Sequence, residues 1–275
     1  MEGDSVMSKV ITFGNFKGGV GKTTASCMFA HIMSNQGAKV LVIDFDPQAN
    51  CSKFLSNSYK VPLDNFTSVY EAIEQEDLSK AVLQLSDNLH ILPSAVDLVG
   101  FNRLLRARSK KEEHEHYYLD FLLKPLKASY DYVIIDVPPT ISEFTNNALV
   151  ASDYTLIIMM TETDSFAGAI DFKNYAEEMK QFNPNLKIIG ILPYLQNKSS
   201  KIDDYIITAS KNEKFNIEGL LFDAHIYRRE RIKRYRINGI QNEDHHDQEV
   251  HAMYEAAVKE LLEKVEKNND SLQSV

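Results

Sequence analysis

The stretch NFKGGVGKTT, Asn15 to Thr24, sets three glycines ahead of a lysine and two threonines. Gly18, Gly19 and Gly21 carry no side chain to block a polyphosphate. Successive backbone N–H groups, that of Val20 among them, can therefore turn toward phosphate oxygens. Lys22 supplies a mobile cation for the β- and γ-phosphates, and Thr23 a hydroxyl for magnesium, with Thr24 directly behind it. A dinucleotide fingerprint does not fit, because after Gly14 the next glycines are 18, 19 and 21. Two features depart from an ordinary phosphate loop. Phe16 stands where the first glycine is usual, and a second lysine, Lys17, follows it at once.

Carboxylates complete such a site. LVIDFDPQAN offers Asp44 and Asp46, one at a strand terminus and one just beyond it; YVIIDVPPT offers Asp136 at the end of a strongly apolar run. A carboxylate there can hold magnesium directly or through water, while polar loop residues orient the attacking water. Pro138 and Pro139 stop the strand and stiffen the turn.

These residues need a scaffold that brings strand ends together. KVITFG (9–14) and KVLVID (39–44) read as strands, with a helix from about 22 to 35 between them, a βαβ unit whose glycine loop is the strand-to-helix turn. LHILP (89–93), YVIIDV (132–137), YTLIIMM (154–160) and LKIIGILP (186–193) follow as strands, and LLFDAHI (220–226) is a candidate last one. Continuous Val/Ile/Leu runs suit parallel strands covered on both faces. Helices are predicted over 97–110, 116–128, 142–150, 165–182, 199–214 and 247–266, and 64–77 reads as a peripheral insertion. The fold class is α/β: a doubly wound, mainly parallel sheet with helices on both faces. Residues 9–267 form one domain between flexible ends at 1–8 and 268–275.

With 275 residues and net charge −9, an all-over basic nucleic-acid binder is excluded. The negative total still leaves room for a local basic patch: RRERIKRYR, 228–236, has six basic residues and one acidic. No apolar run approaches the ~20 residues of a membrane span. The short acidic start is unlike a secretory signal, which implies a cytoplasmic protein. Cys27 and Cys51 are too few and too far apart for a CxxC site or a disulfide framework, and read as inert. The histidines at 114, 116, 245, 246 and 251 lack a partnered ligand set.

Together NFKGGVGKTT, DFDPQAN and DYVIIDVPP closely resemble the ParA/MinD/Soj group of deviant-Walker ATPases, of P-loop NTPase type, and most nearly its short ParA-type partition members. The resemblance implies ATP and Mg2+ as ligands and a nucleotide-sandwich homodimer. In it Lys17 reaches the phosphates of the other subunit while Lys22 acts within its own. It makes Lys17, Lys22 and Asp46 catalytic, Asp46 orienting water. Thr23, Asp46 and Asp136 would hold magnesium. The loop from Lys17 through Thr24, with Asp136, binds the nucleotide, and the stretch after IIGILP from Tyr194 to Asn197, with Asn197 as the named candidate, occupies the place of the family's base-contacting loop. Asp44 either joins the magnesium network or holds the strand end.

HIYRRERIKRYR is similar to the family's late segment, with Tyr227 where a proline is common. By that resemblance Arg228, Arg229, Arg231, Lys233, Arg234 and Arg236 are candidates for nonspecific double-stranded DNA; the run RLLRARSKK (103–111) reads either as an enlargement of that surface or as an exposed helix face. Phosphate contacts of this kind give salt-dependent affinity with little base preference. The implied partner is a ParB-like centromere-binding adaptor, and the implied place is the nucleoid. No lysine-rich amphipathic tail suggests a membrane anchor. The C-terminal apolar face of Met253, Ala257, Leu261 and Val265 is expected to pack on the domain. Alternative readings are a membrane-positioning or metabolic relative, or a weakly hydrolysing DNA-binding scaffold.

Overall fold

The computed structural model describes residues 8–109, 111–197, 200–210, 215, 217 and 219–273. Its strands are β1 (Lys9–Gly14), β2 (Val40–Asp44), β3 (Leu83–Gln84), β4 (Leu89–Leu92), β5 (Tyr132–Asp136), β6 (Tyr154–Met160), β7 (Lys187–Gln196) and β8 (Ile226–Tyr227). They line up as β3-β4-β2-β5-β1-β6-β7-β8, parallel throughout except for the antiparallel edge strand β3. Between them run α1 (Lys22–Asn35), α2 (Asn50–Tyr59), α3 (Val69–Glu74), α4 (Phe101–Arg108), α5 (Glu112–Glu115), α6 (Tyr118–Lys127), α7 (Glu143–Ala151), α8 (Thr163–Met179), α9 (Lys201–Ser210), α10 (Glu230–Asn238) and α11 (His245–Gln273).

Period-2 alternation divides the strand side chains between two cores. Ile11, Phe13, Ile134, Leu156 and Ile158 face α1 and α11 on one side. Val10, Val133 and Ile135 face the opposite core with α6, where Ile157 and Met159 meet α8. Both faces are thus apolar, which is why the strands read as unbroken aliphatic runs. Ala257, Leu261 and Val265 of α11 are buried and Met253 packs against the same core, as the helical spacing predicts.

Several elements differ from the sequence expectation. The segment 64–77 is not peripheral: α3 buries Val69, Tyr70, Ala72 and Ile73. Its start was signalled by a capping box, Ser68 accepting from the Glu71 amide while Glu71 accepts from that of Ser68. Of 220–226, only Ile226 belongs to a strand, β8, with an isolated bridge between Ile191 and Leu221. α11 continues through 268–273, beyond the boundary drawn at 267. Residues 1–7 and 274–275 of the two ends, Lys110, and 199 and 211–214 of the helix expected over 199–214, lie outside the described residues. Among the described residues no helix is long and apolar enough to cross a membrane.

A histidine on α1 links this packing to pH. His31 lies against Tyr59 and His251, its Nδ1 2.7 Å from the Tyr59 hydroxyl and its Nε2 3.0 Å from Asn35 Nδ2. Burial first, and the neighbouring His251 second, push its pKa down to about 4. The unfolded chain therefore takes up this proton first. Stability from neutral His31 is intact above pH 6.5 and is lost as pH falls toward 4, by up to about 3 kcal/mol. Urea titrations between pH 7.5 and 4.5 are expected to show this loss, and His31→Gln should flatten it; equal slopes in the two proteins would refute the assignment.

Candidate active site

The sheet order sets β1 between β5 and β6, with β2 on the far side of β5. The carboxyl ends of β1, β2 and β5 therefore converge, and with them the glycine loop and both acidic loops. Asn15 starts the loop from a buried position. Its Nδ2 donates to the carbonyls of Ile158 (2.8 Å) and Ser165 (3.1 Å), and its Oδ1 accepts the Lys17 amide (2.7 Å). The loop lies on the backbone of α8: a Cβ on Gly168 would come within 2.6 Å of Asn15 Oδ1 and 2.9 Å of the Lys17 nitrogen. Phe16 packs edge-on against Phe172 and Tyr175 of α8, with ring centroids 5.1 and 5.5 Å away. The residue in place of the first glycine thus anchors the loop from behind.

Gly19 and Gly21 adopt φ of +78° and +97°. A Cβ on Gly19 would meet nothing within 4 Å, so its α-carbon borders open space. At Gly21 a Cβ would fall 2.2 Å from the Tyr194 ring, so glycine is required both by φ and by close approach. Gly21 caps α1 with no side-chain hydrogen bond and no acidic residue follows in the first turn, leaving those N–H groups for an anion. The Val20 side chain is in the core and Gly18 lies near Pro139.

Lys22 is buried, and its Nζ donates to the Lys17 carbonyl at 3.2 Å. Desolvation lowers its pKa to about 8 against the opposing pull of Asp136 and Asp46. A buried cation that is costly to charge is a ready partner for a polyphosphate. Thr23 Oγ1 donates to Asp136 Oδ2 at 2.7 Å and Ser26 Oγ to Oδ1 at 3.1 Å. Burial raises Asp136 to about 6, while Thr23, Lys22 and Ser26 hold it down. Asp44 sits opposite Asp136 in the β2–β5 register, fully buried, and burial followed by its Asp136 neighbour raises it to about 7. Its Oδ2 accepts both the amide and hydroxyl of Ser52 at 2.7 Å, and its Oδ1 the Asp46 amide at 3.3 Å. Of the two readings of Asp44, the geometry supports the holder of the strand end, here tied to the start of α2.

Asp46 faces a cavity of about 250 Å³ together with Lys22, Thr23, Thr24, Gln48 and Arg236. A second cavity of about 330 Å³ adjoins it, walled by Met160, Tyr194, Leu195 and Ile232, with Gly19, Gly21, Thr24 and Arg236 common to both. Polar groups surround the first, and the second combines these apolar side chains with the cations Arg228, Arg229, Lys233 and Arg236, a division that suits the two ends of a nucleotide. Open space at Gly19, uncapped amides, a buried lysine and a hydroxyl–carboxylate pair fit a magnesium-bound polyphosphate.

Asn197 lines neither cavity; its amide donates to Asp203 at 2.7 Å. The reason is that β7 runs to Gln196, past the expected end at 193, which sets Tyr194 and Leu195 at the cavity instead. Lys17 also lines neither cavity. Its Nζ is 3.1 Å from Asp164 on the rim, with side chains 48% and 76% exposed.

The basic run divides among several faces. Arg229, Lys233 and Arg236 line the second cavity with Ile232, as does Arg228, which also pairs with Glu162 at 3.6 Å. Arg231 pairs with Asp244 and with buried Asp247, and Arg234 is exposed. Of the 194–197 stretch expected near the base, Tyr194 and Leu195 line the second cavity, while Gln48, Asn50 and Arg236 were not among the expected nucleotide residues. For Arg236 a signal existed: 229, 232, 233 and 236 recur at helical spacing.

The family model for the AAA domain matches residues 8–188. The chain is 31% identical over 209 residues to the chromosome partitioning protein ParA of Myxococcus xanthus, covering 74% of this chain and 71% of that one. A plasmid partition protein from Borrelia burgdorferi superposes with a TM-score of 0.72 at 26% identity, over 94% of this chain and 99% of the other. The cobyrinic acid a,c-diamide synthase of Mycobacterium smegmatis, with bound ADP and magnesium, gives 0.70 at 28%, over 84% and 92%. The chain belongs to the ParA/MinD/Soj family of deviant-Walker P-loop ATPases, with ATP and Mg2+ as its ligands.

Proposed function

We propose that the protein is an ATP-gated DNA-partition switch of the cytoplasm and nucleoid. Two copies close around ATP, the dimer binds DNA without sequence preference, and a centromere-bound adaptor stimulates hydrolysis and release. The observation that carries this reading is Lys17, a cation on the loop's rim that lines neither cavity of its own subunit. A lysine so placed can complete the phosphate site of a facing copy, making charge stabilisation depend on dimerisation.

Within one subunit, the loop amides and Lys22 bind and orient the phosphates, and Asp46 positions the attacking water. Thr23 and Asp136 hold magnesium, assisted by Asp46. Bound there, the ion neutralises charge on the phosphate oxygens. Asp44 keeps the DPQAN loop at the strand end. The Mycobacterium synthase shows that the same architecture serves metabolic chemistry in another protein; the dense basic segment favours DNA here.

DNA affinity measured with ATP, ADP and no nucleotide is expected to be strong only with ATP, and to fall steeply as salt rises. Equal binding in all three states would sink the gated model.

A further inference from the structure

α10 places one arginine, Arg236, where the two cavities meet. We propose that Arg236 is a phosphate ligand of the bound nucleotide, reading its non-terminal phosphates; this rests on the ATPase reading of the cavity. Arg236 is the one charged side chain, among the described residues, that lines both the polar and the apolar-walled cavity. It also borders the small cleft formed by Thr23, Thr24, Asn50, Lys53 and Phe54. That junction lies at the first turn of α1, between the end of the site holding Lys22 and Asp46 and the end holding Met160 and Tyr194.

The charge at this junction is uncommitted. Arg228, Arg229, Arg231 and Lys233 each have a carboxylate within salt-bridge range, to Glu162, Glu249, Asp244 and Glu230. Arg236 has none among the described residues. Arg234 shares that property but lines neither cavity.

The helix holding Arg236 is fixed without any ligand. Ile232 and Tyr235 are buried, and the Tyr235 hydroxyl donates to Asp247 at 2.9 Å. The Ile237 carbonyl accepts from Asn57 Nδ2 at 2.8 Å, and a Cβ on Gly239 would fall 2.7 Å from the Ser58 Cα. The end of α10 is therefore clamped to α2, the helix that follows the Asp46 loop. Guanidinium offers a planar fork suited to phosphate oxygens, and a preset backbone reduces the entropy lost when it engages. Removing Arg236 from the DNA set also gives nucleotide a direct handle on the basic helix.

Titration of the full chain with fluorescent Mg-ATP and Mg-ADP analogues tests this, using Arg236→Ala, Arg236→Lys and the distant charge control Lys124→Ala. Arg236→Ala should weaken ATP and ADP alike by about 10- to 100-fold, as loss of a charged hydrogen bond predicts. Arg236→Lys should recover part of this, and Lys124→Ala none of the loss. At saturating ATP, the DNA affinity of Arg236→Ala should equal that of the wild type. Unchanged nucleotide affinity with weakened DNA binding would overturn the assignment and return Arg236 to the DNA face. A loss confined to ATP would overturn the assignment to non-terminal phosphates. Failure of the wild type to bind ATP would instead strike the ATPase reading, and this inference with it. Because Arg236 is exposed, a melting temperature matching the wild type is expected and identifies any loss as local.

Discussion

Lys17→Ala is expected to abolish ATP-dependent dimerisation and to lower adaptor-stimulated hydrolysis by about 10³-fold, the scale of a cation supplied in trans to a phosphoryl transition state. ATP binding to the single subunit should barely change, because Lys22, the loop amides and Thr23 all stay in place and Lys17 lines neither cavity. Fold stability should also be unaffected. Among the described residues the only ion pair lost is the exposed one to Asp164, and exposed pairs contribute ~0–1 kcal/mol. Sedimentation with ATP and steady-state phosphate release measure the two activities. Normal dimerisation together with normal stimulated turnover would show that Lys17 does not act across subunits.

The second large effect is a separation of binding from chemistry. Asp46→Ala should keep ATP-dependent dimerisation while hydrolysis drops by about 10²–10⁴-fold, the range associated with loss of a positioned acid–base or water-orienting group. Asp46 is suited to this because it lines the polar cavity and, among the described residues, its Oδ1 accepts only the nearby Gln48 amide, at 3.0 Å. The loop retains its other ties: the Asp46 carbonyl still accepts from Ser94 Oγ, and Asp44 still grips Ser52. The variant should therefore remain folded. Single-turnover hydrolysis by the preformed dimer separates the chemical step from assembly, and wild-type rates there would remove Asp46 from catalysis.

The site's three motifs were legible because a parallel sheet gathers its functional loops at the strand carboxyl ends. An aliphatic run ending in aspartate announces both the strand and the side of the sheet on which the carboxylate emerges. The relations across the sheet were not legible. Asp44 and Asp136 become neighbours only through the β2–β5 register, and that adjacency adds to burial in raising Asp44. Phe16 resembled a defect in the loop because its partners, Phe172 and Tyr175, lie more than 150 residues away on α8. The arginine run was correctly read as dense positive charge, but periodicity names a helix face without naming what that face meets. Packing on α2 turned one stripe of α10 toward the second cavity. Likewise β7 gave no sign of continuing past Pro193, since Tyr194 through Gln196 lack the aliphatic pattern of the preceding residues.

The two cysteines were read as inert, and the fold gives that inertness a use. Cys27 on α1 and Cys51 on α2 are both fully buried, with sulfur atoms 3.3 Å apart. Burial raises the Cys27 thiol, and its hydrogen bond to Cys27 together with burial raises Cys51. Alkylating dyes need an accessible thiolate, so the closed protein is silent to them. Labelling of these sulfurs then times the moments when the phosphate-loop helix and the helix behind Asp46 part, a clock carried by the native chain.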